Sequence, residues 1–220
     1  NTIRAGTHLA RARTKSDDTP YKLLSEITLR DKKHVRSFGR AHRPNQAIFY
    51  CSTNHEVAIR EATQWHVTDF GTLINRNMLK DYNPHVKFVT VSIWKVTKDL
   101  KVASLFLNND AMKANPVVRY FGEQIKNGNF KNWDEKIVKS KNLILEFFSN
   151  EFAKRDIKQE TDYLLSAYYA NEIHAVSGLT RRLDGVAYPT VALDYKGENI
   201  AITEDAYKDK MEFVTAYHNY

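Results

Sequence analysis

Apolar residues recur along the chain at two spacings, and together they predict a mixture of strands and helices. Alternation or short β-favouring runs predict strands over 6–13, 34–38, 47–51, 86–96, 100–106, 184–191, 199–202 and 211–217. Helical spacing predicts helices over 54–65, 74–80, 110–153 and 162–173. Pro116 and the loop Asn127-Gly128-Asn129 divide the long helical stretch. The pattern indicates an α+β fold in a single domain, 1–220.

Three local features refine this outline. The turn Thr97-Lys98-Asp99 between two strand-like runs predicts a β-hairpin. Pro189 lacks a backbone N–H, so its strand should be an edge or contain a bulge. The polar stretch 14–32 is expected to form a loop.

Core contacts are expected from the helical residues Phe147, Phe148, Phe152, Leu165, Tyr168, Tyr169 and Ile173.

The helix predicted over 54–65 has a carboxylate on its apolar face. It begins at the capping residue Asn54, and Glu61 lies on the apolar face. That face is formed by Val57, Ala58, Ala62 and Trp65. Glu61 is either paired with an arginine at the edge of the core or directed into a cleft and held away from bulk water, where it could act on a cation or a sugar hydroxyl. Arg40 lies just before the strand that leads into this helix, and Tyr50 lies in that strand. The nearby guanidinium and phenol favour the cleft interpretation.

Two arginines and the single cysteine lie on predicted strands. Alternation places Arg11 and Arg13 on one face of the first strand, where they either face water at a sheet edge or meet an anion. Cys51 shares a strand face with Ala47 and Phe49, opposite Tyr50, and is interpreted as a small core residue. A lone cysteine fits a reducing cytoplasm.

Composition narrows the functional classes. The 220 residues are 42% hydrophobic and 27% charged, as in ordinary globular proteins, and the formal net charge of +7 suits an anionic partner. A membrane-spanning helix is not expected, because the apolar runs are too short. A zinc-protease helix that begins with His55-Glu56 needs a second histidine four residues after the first, and this chain has Ile59 there. The sequence also contains no glycine-rich phosphate-binding loop. Neither a metal nor a cofactor is expected. The chain starts at Asn1, which suggests a trimmed or processed piece.

Several of these stretches occur in one order that resembles the RES-domain family. The matching stretches are Gly6-Thr7-His8-Leu9-Ala10-Arg11-Ala12-Arg13, Gly39-Arg40, Phe49-Tyr50, Ala58-Ile59-Arg60-Glu61, Asp184-Gly185-Val186-Ala187-Tyr188-Pro189-Thr190 and Asn199-Ile200-Ala201-Ile202. They cover roughly residues 5–65 and 160–203. Each stretch alone is a weak signal, whereas the ordered set is fairly specific.

The resemblance implies a fold, an activity and a set of site residues. RES proteins resemble ADP-ribosyltransferases, with small mixed sheets around a cleft, and many are NAD-consuming toxins neutralised by an antitoxin with an Xre-like helix-turn-helix domain. By this resemblance NAD is the substrate, and an Xre-like antitoxin or a second copy of the chain is a candidate partner. The implied catalytic residues are Glu61, Arg40 and Tyr50, and the substrate-binding residues are Arg11, Arg13, Thr190 and Asn199.

The chain departs from the family at three places. Thr190 stands at the serine position, which keeps a hydroxyl group but adds a methyl group that could crowd the pocket. Ala12 stands where several toxins have an aromatic residue. Residues 107–158 form a longer helical insert than compact toxins have.

Two other classes of function stay open. A basic nucleic-acid-binding module or nuclease would use the net charge and the turn containing Arg40, His42 and Arg43. A degenerate family member would bind a nucleotide without turnover.

Overall fold

A computed structural model describes residues 1–15, 19–63, 89–128, 133–175 and 183–219. Within them, eight strands form one mixed sheet in the order β1-β5-β6-β7-β3-β2-β4-β8. The strands are β1 (Thr2–Ile3), β2 (His8–Thr14), β3 (Ile48–Ser52), β4 (Val89–Val96), β5 (Leu100–Ser104), β6 (Gly185–Pro189), β7 (Glu198–Thr203) and β8 (Met211–Asn219). The described α-helices are α1 (Leu24–Ile27), α2 (His55–Thr63), α3 (Asn109–Ala114), α4 (Pro116–Asn127), α5 (Glu135–Phe152), α6 (Leu164–Ala175) and α7 (Glu204–Lys210). The prediction of an α+β chain is confirmed at this level.

The sheet is curled and opens between β2 and β3. Strands β4 and β5 lie near opposite ends of the strand order, yet only Thr97-Lys98-Asp99 joins them, so the sheet must bend its ends towards each other. Strand β2 pairs with β4 along its whole length but with β3 only at Ala10↔Ser52. The two strands therefore diverge beyond that pair, and the sheet leaves a gap there.

The predicted hairpin is wrong. Strand β4 pairs with β2 and β8, whereas β5 pairs with β1 and β6. The backbone N–H of Thr97 donates to the carbonyl of Lys210, so the turn residues contact α7 instead of closing a hairpin. A turn signal between two strand-like runs shows that the chain changes direction, but it does not show which strands become neighbours.

The prediction that the proline strand is an edge strand or contains a bulge is also wrong, because its register with β7 is regular from Gly185 to Pro189. Strand β6 lies between β5 and β7. Pro189 is its last residue, and the pairing with β5 already stops at Ala187, so the missing N–H costs no hydrogen bond to that neighbour. An interior strand can therefore end in proline.

Other local predictions meet mixed outcomes. Residues 34–38 do not form a strand; a 3₁₀ turn occupies Lys32–His34, and Asp31 caps it by accepting from the backbone of Lys33. The predicted loop over 14–32 contains the short helix α1. The helix predicted over 74–80, the strand residues 86–88 and Trp65 lie outside the described residues.

Two apolar clusters cover the two faces of the sheet. One contains Phe49, Cys51 and Trp94, and the other contains Ile48 and Tyr188. Cys51 therefore lies on the predicted face, and it is a buried core residue. Burial raises the pKa of its thiol to about 12, which makes a reactive thiolate at neutral pH unfavourable.

The helices predicted over 110–153 are present, but not every residue that was expected to be buried there is buried. Helices α3 to α5 occupy the predicted stretch, and Asn115 caps α4 directly before Pro116. Phe152 is fully buried, as predicted, whereas Phe147 is 48% exposed. None of the described helices is long and apolar enough to cross a lipid bilayer.

Helix α6 faces the core with small residues instead of large ones. Leu165 and Tyr168 are exposed, and Tyr169 stacks on Phe148 with ring centroids 3.8 Å apart. The buried positions are Ser166, Ala167, Ala170 and Asn171. Because α6 packs against both α5 and β6, small side chains allow the backbones to approach closely. The prediction is wrong for Leu165 and Tyr168, whereas Tyr169 is partly buried and packs against the core, as predicted.

Candidate functional site

A cleft of about 560 Å³ opens where β2 and β3 diverge. Its wall contains Ala10 and Ala12 from β2 and Ala58 and Ala62 from α2. The charged and amide side chains on the wall are Arg11, Arg40, Glu61, Arg155 and Asn199, and Tyr50 also lines it. Five of the seven predicted site residues are thus brought together here.

Glu61 is held by one oxygen of its carboxylate. The hydroxyl group of Thr190 donates to Oε1 at 2.5 Å, and the side-chain amide of Asn199 donates to the same oxygen at 2.7 Å. Both donors are buried and neutral, whereas Glu61 itself is exposed, so the expectation that it is held away from bulk water is wrong. Among the described residues Oε2 receives no hydrogen bond and Glu61 forms no ion pair, so the arginine-paired interpretation is not what the fold shows. One oxygen orients the carboxylate and the other can meet a ligand.

Helix α2 places Glu61 at this point through its cap and its packing. The side chain of Asn54 accepts from the backbone of Val57 at 2.9 Å, which confirms the predicted N-cap. Val57 is fully buried against the turn before β7. A Cβ atom at Gly197 would lie 2.4 Å from Val57 Cγ2, so only glycine allows the helix to approach this closely.

Ser52 fixes the orientation of the Asn199 amide. Ser52 and Asn199 are paired across β3 and β7, and the serine hydroxyl donates to Asn199 Oδ1 at 2.7 Å. With its oxygen engaged in this way, the amide directs Nδ2 towards Glu61. Sequence reasoning missed Ser52, because its role depends on a strand register that the sequence does not display.

The added methyl group of Thr190 faces away from the cleft. Thr190 is fully buried and is not part of the cleft wall. Its Cγ2 lies 3.4 Å from the position that a Cβ atom at Gly197 would take, so the methyl group packs against this turn. The expected crowding of the pocket does not occur, and the hydroxyl group keeps its hydrogen bond to Glu61.

Arg11 is a buried cation with unused hydrogen-bonding capacity. Its Nη1 donates to the carbonyl of Tyr50 at 2.8 Å across the gap between β2 and β3, and the guanidinium lies 4.8 Å from the centroid of the Phe49 ring. Its Nε is buried and has no hydrogen-bond partner among the described residues. Desolvation lowers its pKa to about 10, with a smaller contribution from the charge of Arg13. The solvated-edge interpretation is wrong for Arg11, and an anion in the cleft would compensate its charge.

Arg13 does not reach the cleft. Although it shares a strand face with Arg11, its guanidinium donates to the carbonyl of Glu26 and lies over the ring of Tyr21, at 5.2 Å from the centroid. Both contacts fasten α1 and the preceding segment to β2. Alternation identified the face correctly, but it did not show how far along that face the cleft extends.

Arg40 holds the end of α5. Its guanidinium donates to the carbonyls of Phe152 at 2.7 Å and Lys154 at 3.1 Å, and it lies 5.3 Å from the centroid of the Tyr163 ring. A cation at a helix C-terminus compensates the partial negative charge of the free carbonyls. Arg40 lines the cleft, but backbone carbonyls already occupy two nitrogens of its guanidinium. Its charge, more than its hydrogen bonds, is available to a ligand.

Tyr50 contributes its ring to the cleft, while its hydroxyl group is occupied. The hydroxyl oxygen accepts from the backbone of Ala41 at 2.9 Å and lies 2.7 Å from Nδ1 of His42. Burial lowers the pKa of His42, and the nearby Arg30 cation lowers it further, so the imidazole is favoured in its neutral form. Neutral Nδ1 can accept the phenolic proton, which fixes the ring of Tyr50 against the strand.

Replacing His42 by asparagine is expected to reduce the loss of stability on acidification. Asparagine can keep a hydrogen bond to Tyr50 but cannot take up a proton. The lowered pKa of folded His42 means that the unfolded chain binds the proton more readily, so this contribution to stability is lost as pH falls below about 6.5. Denaturant titrations of both proteins between neutral and acidic pH measure the difference. A pH dependence identical in the two proteins would contradict this assignment.

Tyr188 and Arg155 also line the cleft and were not selected from the sequence. Tyr188 is buried, and burial raises the pKa of its phenol well above the usual value. Arg155 follows α5 and is half-exposed; it donates from Nε to the hydroxyl of Tyr195 at 3.1 Å and from Nη1 to Asp194 at 2.7 Å. Tyr188 lies beside the proline motif, but nothing in the sequence near Arg155 indicates a site.

No model of a known protein family matches the chain, and no curated protein matches it. The RES resemblance therefore rests on the ordered residues themselves.

Proposed function

We propose that this protein cleaves the N-glycosidic bond between nicotinamide and ribose in NAD. The observation that carries the proposal is Glu61, whose carboxylate is oriented through one oxygen by Thr190 and Asn199 and presents its second oxygen in a cleft that also contains a buried arginine. A carboxylate without a cationic partner can stabilise positive charge that develops on a ligand. The ordered RES-like residues suggest which ligand this is.

The chemistry of NAD matches the charges of the cleft. Its diphosphate carries two negative charges, and the guanidinium of Arg11 offers charge together with directed hydrogen bonds. Breaking the bond to nicotinamide develops oxocarbenium character on the ribose, which the carboxylate of Glu61 would stabilise, much as carboxylates do in glycoside hydrolysis. The departing nicotinamide takes the bonding electron pair, and water, phosphate or a protein side chain then bonds to the ribose carbon.

The proposal includes the finer features that the resemblance implies. The curled sheet and its cleft would then be an ADP-ribosyltransferase-like arrangement, and the helices over 107–158 an insert in it. An Xre-like antitoxin or a second copy of the chain is the proposed partner, in the cytoplasm. Copurification of the chain with a helix-turn-helix protein from the source cell would support the first of these partners.

The first experiment is incubation of the purified protein with NAD and chromatographic measurement of released nicotinamide. Three reactions, with water alone, with added phosphate and with a mixture of candidate acceptor proteins, separate hydrolysis, phosphorolysis and transfer by their ADP-ribose products. Release in any of them supports the proposal. Lack of release in all three, with NAD still bound, would instead indicate the degenerate nucleotide binder.

The hydroxyl group of Thr190 is expected to matter more than its methyl group. Thr190→Ser should keep nicotinamide release within a few-fold of wild type, because the hydrogen bond to Glu61 remains. Thr190→Val keeps the shape but leaves Oε1 of Glu61 with one donor fewer, and a lost hydrogen bond to a charged group costs about 1.5–3 kcal/mol, or about tenfold to a hundredfold in rate. Equal rates for the serine and valine variants would show that Thr190 does not position the carboxylate.

The nucleic-acid alternative loses part of its support. In the basic turn, Arg40 donates to backbone carbonyls and His42 is partly buried, which leaves Arg43 as the exposed cation. If the protein binds nucleic acid through contacts to the phosphate backbone, its affinity should weaken by about a thousandfold or more between about 50 and 200 mM salt. A titration with single- and double-stranded oligonucleotides over this range tests the alternative directly.

A further inference from the structure

Arg155 is fixed at the cleft wall by a strained turn. Its guanidinium forms a hydrogen bond and an ion pair with the neighbouring residues Tyr195 and Asp194, and it lies 4.5 Å from the centroid of the Tyr195 ring. Asp194 and Tyr195 both have positive φ, at 47° and 67°. Left-handed backbone is unfavourable for a bulky residue such as tyrosine, so the surrounding contacts must hold the turn in this conformation.

Those contacts are extensive and connect the turn to the carboxylate site. The hydroxyl of Tyr195 donates to the carbonyl of Ala153 at 3.0 Å, and its backbone carbonyl accepts from the side chain of Asn115 at 3.1 Å. Its backbone N–H donates to the carbonyl of Thr190, the residue that orients Glu61. The position of Arg155 is thus set by the same segment that positions the proposed catalytic carboxylate.

Within the described residues Arg155 leaves one terminal nitrogen of its guanidinium without a partner, whereas Arg40 uses both of its terminal nitrogens. Arg40 uses two guanidinium nitrogens on the carbonyls at the end of α5 and so anchors the chain just before Arg155. Arg155 uses Nε and Nη1, its side chain is 49% exposed, and among the described residues its Nη2 has no hydrogen-bond partner. Arg11 presents a buried cation in the same cleft, and Arg155 presents a partly solvated one.

We propose that Arg155 binds a phosphate group of the ligand and works with Arg11 on the diphosphate of a nucleotide. Arg40 then acts as a positioning residue, because it holds the segment from which Arg155 extends. This inference deepens and rests on the proposed function, but the contact it assigns belongs to the part of the ligand that ADP and NAD share.

The test is calorimetric binding of ADP and of adenosine to the intact wild-type protein and to Arg155→Gln. Loss of a hydrogen bond between charged groups should weaken ADP binding by about tenfold to a hundredfold. Adenosine has no phosphate, so its affinity should stay within about twofold. Arg4→Gln is the matched control, because Arg4 is also an exposed arginine paired with an aspartate, Asp99, and does not line the cleft.

Asp194→Asn supplies a second variant that does not depend on removing the arginine. Asparagine tolerates left-handed backbone, so the turn should persist, while loss of the carboxylate removes the negative charge opposite Arg155 and raises the local positive potential. ADP should then bind more tightly. ADP affinity that is unchanged in Arg155→Gln, or weakened equally in Arg4→Gln, would overturn the inference, as would weaker binding to Asp194→Asn.

The outcomes for Arg155 and for the proposed function can be told apart. If the wild type releases nicotinamide but Arg155→Gln binds ADP normally, the assignment of Arg155 fails and NAD cleavage stands. If ADP binding depends on Arg155 and nicotinamide is never released, the phosphate site stands and the proposed reaction fails. If the wild type binds neither ADP nor NAD, both fail.

Discussion

Glu61→Gln is expected to lower the rate of nicotinamide release from NAD by about a hundredfold or more, with little change in stability. Glutamine is nearly isosteric with glutamate, and its amide oxygen can still accept from Thr190 and Asn199. The negative charge that would stabilise the developing oxocarbenium is lost. Removal of one well-placed electrostatic contact commonly costs roughly 3 kcal/mol of transition-state stabilisation.

The measurement is the rate of nicotinamide release at saturating NAD, together with the thermal unfolding midpoint. Glu56→Gln is the matched control, because Glu56 is an exposed glutamate on the same helix and does not line the cleft. It should retain wild-type activity. If Glu61→Gln is fully active, the carboxylate has no part in the mechanism. If Glu61→Gln does not fold, Glu61→Asp, which keeps the charge, separates the effect of the charge from that of packing.

Arg11→Met should abolish most NAD binding without lowering the stability of the protein. The guanidinium is buried, and within the described residues it lacks a carboxylate partner, so the folded chain bears the cost of desolvating it. Replacing buried charge by an apolar side chain of similar length is often neutral or stabilising, by about 1 kcal/mol or more. The lost hydrogen bond to the carbonyl of Tyr50 offsets part of this gain.

Two measurements decide this prediction. Denaturant unfolding should give the methionine variant a stability at least equal to that of the wild type, and NAD affinity should fall about a hundredfold. Arg11→Lys, which keeps the charge but not the planar fork, should bind NAD with intermediate affinity. A clear loss of stability in Arg11→Met would mean that Arg11 is present chiefly to join β2 and β3.

The sequence was most informative where a single short segment determines the structure. The cap at Asn54, the strand face of Cys51 and the presence of Glu61 on the apolar side of α2 all follow from spacing within a few residues. The structure reproduces all three, because such patterns are controlled by local backbone geometry.

Where the outcome depends on distant partners, the sequence was a weaker guide. The strands β4 and β5 follow one another in the chain but pair with different neighbours, and the register that joins Ser52 to Asn199 connects residues 147 positions apart. The guanidinium of Arg40 is occupied by carbonyls more than a hundred residues away. The exposed positions Leu165 and Tyr168 of α6 were misjudged because close packing selected alanine and serine over larger apolar residues.

The two hydrogen bonds to Glu61 also bear on when the protein can become active during its synthesis. They span 129 and 138 residues, from α2 to the segment that ends at β7. A nascent chain that has emerged only as far as α6 contains Arg11, Arg40 and Glu61 but neither of the donors that orient the carboxylate. If the protein cleaves NAD as proposed, a ribosome-bound chain should not consume the NAD of the cell that makes it until β6 and β7 have joined the sheet.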